Sequence, residues 1–197
     1  MLASITPLGE RGRQSRWGLT VSAFLLGASA AGAGAGALLG AAGSLMTDVG
    51  GLGGRARLAL LIAVLAAAVA VEAMLPRVPG PRRQVNERWL DEFRGWVYGI
   101  GFGAQLGLGL TTVVSSAATY VAIAAAFLLA DPALGALVLG VFGATRGATP
   151  LVTVRVRRPE QLRALHGRLE RLRAPAAHAS LTSLIALLAI AVAGSVG

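Results

Sequence analysis

The residues that could handle a solute sit in one uncharged stretch. From Trp96 to Ala130 the chain carries no Asp, Glu, Arg or Lys. Gly101, Gln105, Gly109, Thr112, Ser116 and then Thr119 or Tyr120 succeed one another at three- or four-residue intervals. A helix places such residues on one face. Hydroxyls and an amide on a face within lipid need partners. Gln105, Thr112, Ser115, Ser116 and Thr119 can therefore line a path or groove for a small polar or anionic solute. The same side chains also suit plain interhelical hydrogen bonds, or back-bonding of Ser and Thr to the preceding turn. The sequence leaves both readings open.

Glu72 and Arg146 are the opposite charges that fall within apolar segments. Paired across helices they would form a gate or a proton-coupled couple, since breaking a buried pair costs far more than keeping it. Each also lies close enough to a segment end to snorkel toward water. No other chemistry is signalled. The chain has no Cys, which excludes disulfides and thiolate metal sites. His166 and His178 have no neighbouring ligand cluster. No Ser-His-Asp set, phosphate-binding glycine loop or paired catalytic carboxylates occur. The expectation is a protein that is not an enzyme, with no catalytic residue, no metal and no cofactor.

These residues need a membrane-embedded scaffold to hold them. Hydrophobic residues make up 55% of the 197 and charged residues only 14%, against about 25% in a soluble domain. The pattern predicts an all-α, polytopic transmembrane helical bundle forming a single domain over 1–197. Spans are expected at about 17–46, 57–75, 96–130, 133–154 and 178–196. The 96–130 stretch would run roughly 50 Å as one helix, against a hydrocarbon core of about 30 Å. It must overshoot, tilt or break near its middle. Gly32, Gly36 and Gly40 recur every four residues, as Gly101 and Gly109 do at twice that interval. Such rows let a neighbouring backbone approach closely, although an alanine- and glycine-rich helix without a special partner reads the same way.

Residues 1–16 read as a short polar leader. The loops 76–95 and 155–175 are basic, and each holds an amphipathic segment suited to the interface. Val85, Trp89, Phe93 and Trp96 share one face of the first. Leu162, Leu165, Leu169 and Leu172 share one face of the second, which Pro159 starts and Pro175 is expected to stop. All the cations are Arg, and leader plus basic loops hold fifteen of the 18. With five spans these three segments share a side. The N-terminus is then cytoplasmic and the C-terminus outside, in a bacterial-type cell membrane. Arginines placed this way argue for a lipid bilayer partner and against nucleic acid. A unit of long glycine-rich span opening at Trp, Asp turn, shorter span and basic loop occurs at 17–95 and again at 96–175, an internal repeat.

The stretch GWVYGIGFGAQLGLGLTTVVSSAATYVA resembles the transmembrane domain of the CcdA/DsbD thiol-electron carriers, grouped with small exporters of the LysE-type superfamily. The likeness covers 95–130 and, more faintly, 17–46. It implies a glycine-rich helix broken near mid-membrane at the start of each repeat. Ser115-Ser116 stand where that family has its Pro-Cys pair, with Ser29 or Ser44 in the first repeat. Without cysteine, the resemblance implies the scaffold or a transport use of it, and no electron transfer. That family has six spans, against the five counted here. Two functions follow. One is a small-solute carrier or exporter-like protein, as a homodimer, using the polar face of the third span. The other is a non-catalytic scaffold or assembly subunit that binds a partner membrane protein.

Overall fold

The computed structural model describes residues 5–75, 77–81, 89–109 and 114–196. Every element among them is a helix: α1 (Pro7–Gly12), α2 (Trp17–Gly50), α3 (Gly54–Met74), α4 (Trp89–Glu92), α5 (Gly95–Gly107), α6 (Ala118–Leu128), α7 (Pro132–Gly147) and α8 (Pro159–Val196), with a 3₁₀ turn at Thr149–Thr153. This is the all-α bundle expected. Four helices are long and apolar enough to cross a membrane: α2, α3, α7 continued through its 3₁₀ turn, and α8. Such lengths and compositions are those of an integral membrane protein.

The third span is broken. Helix α5 ends at Gly107, Gly109 takes φ +76°, and α6 begins only at Ala118. The break is not repeated in the first long helix: α2 runs unbroken for 34 residues, contrary to the paired breaks that the resemblance implies. Alanine and leucine favour the helix through its middle, and the glycines among them are held by close packing against α7. Gly51, at φ +64°, ends it with its N–H on the Thr47 carbonyl.

Glycines set the directions of packing. A Cβ on Gly32, Gly36 or Gly40 would run into the carbonyl oxygens of Leu139, Gly135 and Asp131 in turn. Rising numbers on α2 meet falling numbers on α7, so the two are antiparallel and in backbone contact. Gly99 lies against Thr20, Gly103 against Phe24 and Gly107 against Ala28, so α5 runs parallel to α2. Gly43 then meets Phe127 and Ala130 at the end of α6. The two half-helices thus follow α2 in the same direction, α5 beside its first half and α6 beside its second. The expected Gly32, Gly36 and Gly40 row finds its partner. Gly101 and Gly109 do not serve as a packing row: Gly101 makes room for the Trp89 ring, and Gly109 supplies the positive φ at the break. The row that α5 presents to α2 is Gly95, Gly99, Gly103 and Gly107.

A second group packs by side chains. Leu65, Ala68, Ala117, Val121 and Leu184 form one buried cluster among α3, α6 and α8. Arg57, at the start of α3, donates to the Leu129 carbonyl at 3.2 Å, where α6 ends and its dipole is negative. At the other end Asp131 caps α7, accepting from the Leu134 N–H at 2.8 Å, with Pro132 in the first turn.

Three local expectations are corrected. The leader is not a polar tail: Ile5, Thr6 and Glu10 are buried, and α1 sits at the α2–α5 end of the bundle. Pro175 does not stop a helix. Helix α8 continues through it for 38 residues, so the arginine-rich segment is one rod with the fifth span. A proline inside a helix costs about 3 kcal/mol, which long regular flanks can absorb. Of the first amphipathic segment, Val85 lies outside the described residues, and Trp89 packs inward, its ring stacked 6.0 Å from Phe102.

Candidate functional site

The break is where polar groups converge. The N-cap residue of α6 is Ala117, whose side chain cannot accept a hydrogen bond. The helix's first free N–H, at Ala117, donates to Glu72 Oε2 at 2.8 Å, a contact across 45 residues. Ser116 Oγ lies 3.3 Å from the same carboxylate oxygen and 2.8 Å from Ser180 Oγ, and it accepts from the Ala118 N–H at 3.1 Å. Glu72 is therefore the anion at a half-helix N-terminus. Dipole and free N–H groups favour negative charge there. Glu72 comes from α3, Ser116 from the start of α6 and Ser180 from α8.

Ser115 looks the other way. It shares a cavity of about 270 Å³ with Arg146, Thr149, Leu106, Phe24, Ile5 and Pro150. Arg146 lies over the Phe142 ring, its guanidinium carbon 5.4 Å from the centroid. The Thr149 hydroxyl is bonded to the Arg146 carbonyl. The neighbouring serines of the break thus border two different charges: Ser116 bonds to Glu72, and Ser115 shares a cavity with Arg146.

The expected pairing of Glu72 with Arg146 does not form. Among the described residues the ion pairs are Arg13–Glu10 and Arg173–Glu170. Glu72 is engaged by the start of α6, and Arg146 borders the cavity that holds Ser115. Of the predicted path, Ser115 is exposed, Ser116 is half-buried, and Gln105 is half-buried on α5. Thr119 is 3% exposed, its methyl packed toward Gly109, and so lies in the wall of the break rather than along it. Thr112 falls outside the described residues. The segment 77–81 packs beside the start of α6: Tyr120 Oη donates to the Pro79 carbonyl at 2.5 Å, and Gly80 lies against Val114.

A second polar cluster has no counterpart among the sequence-predicted sites. Glu10 is fully buried. Its carboxylate takes hydrogen bonds from Tyr98 Oη at 2.5 Å, Thr20 Oγ1 at 2.8 Å and Arg13 Nη2 at 2.9 Å. Burial by itself lowers the Arg13 pKa. The Glu10 hydrogen bond and the electrostatic influence of Tyr98 and Glu10 outweigh it, so the net shift is upward and the guanidinium stays charged. Gly95 fits beside this cluster because a Cβ there would meet Thr20 Oγ1 at 2.5 Å. The signal in the sequence is faint: an acid in a polar leader, with its partners ten and 88 residues away.

Among the described residues no three metal-ligating side chains converge. No protein-family model, curated protein or solved structure matches the chain.

Proposed function

We propose that this protein is a small-solute carrier of the cell membrane that works at the break in its third span. The observation that carries the reading is the start of α6 within the bundle, held by the Glu72 carboxylate through the Ala117 N–H at 2.8 Å. Discontinuous helices with an anion at the half-helix N-terminus are how many carriers build sites near the midplane. Here the protein's own carboxylate holds that place, and Ser115 with Arg146 offers a cationic pocket beside it. The solute class is small, polar or anionic. The chemistry is binding and passage, with no bond made or broken. The resemblance to the cysteine-bearing electron carriers is retained at the level of a broken glycine-rich helix reused for transport. On the arginine distribution, the leader and the start of α8 face the cytoplasm.

Liposomes containing the protein and loaded with a panel of small organic anions, zwitterions and neutral polyols test this. At least one solute should leave faster than from protein-free liposomes, and Arg146→Gln should slow it by about ten-fold. Equal rates for every solute with and without protein would exclude the carrier.

A second reading, a subunit that holds a partner protein, has its own observation. The first half of α8 is largely exposed, with Leu172 57% exposed amid arginines. Co-purification of one stoichiometric membrane partner, lost on Leu169→Glu and Leu172→Glu, would favour it.

A further inference from the structure

The ends of α2 and α5 that lie together carry an arrangement that the carrier reading does not use. The two helices are parallel, so both positive ends face the same way. A cleft of about 670 Å³ opens between them. Arg13, Arg16 and Arg94 line it, along with Ser15, and Glu92 is the acid on its rim. Arg16 and Arg94 are the N-cap residues of α2 and α5, and neither helix start is capped by a side chain. Among the described residues the Arg16 and Arg94 side chains make no hydrogen bond or ion pair.

The charges can be summed. Glu10, behind the cleft wall, cancels Arg13 at 2.9 Å. Among the described residues that line the cleft, Arg16 and Arg94 against Glu92 leave one positive charge. The two helix ends add roughly half a charge each. The excess of about two matches a phosphate group. Two arginines that line one cleft together with two helix N-termini place like charge on one side of it, which an anion bound among them offsets. The mouth of the cleft is apolar: Leu19, Phe93 and Trp96 are each about half exposed there. That edge suits an acyl chain or glycerol backbone beside the charged group.

We propose that this cleft is a binding site for a phosphate-ester anion, with Arg16 and Arg94 as its two ligating cations. The same chemistry is offered by an anionic phospholipid headgroup and by a soluble phosphate.

The test is binding to the purified, delipidated full chain, read by native mass spectrometry. The probes are phosphatidylglycerol, phosphatidylcholine and inorganic phosphate. Phosphatidylglycerol or phosphate should bind the parent protein, and the R16Q/R94Q double variant should lose about ten-fold or more of that affinity. R168Q/R171Q, which removes the same charge from the exposed part of α8, should bind as the parent does. Glu92→Gln should bind more tightly than the parent. Discrimination confined to phosphatidylglycerol assigns a lipid headgroup, and discrimination confined to inorganic phosphate assigns a soluble ligand. Equal binding by R16Q/R94Q and the parent, or an equal loss in R168Q/R171Q, would overturn the site. Should R16Q/R94Q fail to fold, unchanged affinity in Glu92→Gln for both probes would overturn it as well.

Discussion

At the residue scale, Glu72 connects the sequence to the site most directly. The sequence marks it as the one acid within a span, but opposite charge points to the wrong partner. Charge alone suggests Arg146, whereas a backbone N–H at the start of a half-helix is what Glu72 holds. Sequence cannot show that an N–H is free until the helix that would have satisfied it is known to be broken. Removing the carboxylate leaves the Ala117 N–H unsatisfied, so Glu72→Ala should cost about 1–3 kcal/mol. Glu72→Gln keeps an acceptor and should cost less. Thermal unfolding of both variants in detergent checks this, and equal losses would show that charge rather than hydrogen bonding anchors α6. Glu10 makes the opposite point. It sits in a segment without periodicity, and only the fold brings Thr20 and Tyr98 to it.

At the scale of the element, spacing is legible in the sequence and facing is not. Glycines at 32, 36 and 40 announce a close approach, and α7 makes it. On the third span two rows share the four-residue interval: 101, 105, 109 and 95, 99, 103, 107. The polar row is the conspicuous one, but the all-glycine row is the one α2 can reach. Length shows that the third span must overshoot, tilt or break, and α2, unbroken over 34 residues, shows that length alone does not decide among these. The Thr-, Val- and Ser-rich middle of the third span is a weak helix former; the glycines of α2 are weaker still, and that helix stays whole where α7 packs against their backbone. The contact row yields a paired prediction. Gly36→Ala pushes a Cβ into the Gly135 carbonyl and should destabilise by about 1–3 kcal/mol. A methyl on Gly34 would have nothing within 4 Å, so Gly34→Ala should be neutral or stabilise by about 0.5–1 kcal/mol. Unfolding midpoints of the two variants, measured side by side, decide it. If both behave alike, the α2–α7 contact is not holding the bundle.

At the scale of the whole molecule, composition carries the fold class and the arginine distribution carries the proposed sidedness. The order of directions in the bundle suits that sidedness: α2 and the α5–α6 pair run one way, and α7 runs back. The leader and the Arg-rich start of α8 then share a side, opposite the turn after α2. Single cysteines at Val49 and Arg168 should be labelled by an impermeant reagent from opposite faces of the membrane, Arg168→Cys from the cytoplasmic face. Labelling of both from one face would refute the five-crossing arrangement. What composition does not convey is that α8 carries its basic segment as a rigid continuation of a span. Pro175 is a stop signal locally, yet the helix runs on through it.

The carrier reading stands on whether water reaches the break. The absence of native cysteine makes this measurable in one experiment. Ser116→Cys, Ser115→Cys and, on the exposed face of α7, Leu137→Cys would be treated with a membrane-impermeant thiol reagent from each side in turn. For a carrier, Ser115→Cys and Ser116→Cys should react while Leu137→Cys, facing lipid, does not. Unreactive cysteines at both serines, with loop cysteines fully labelled, would contradict the carrier and leave Glu72 and its serines as packing alone.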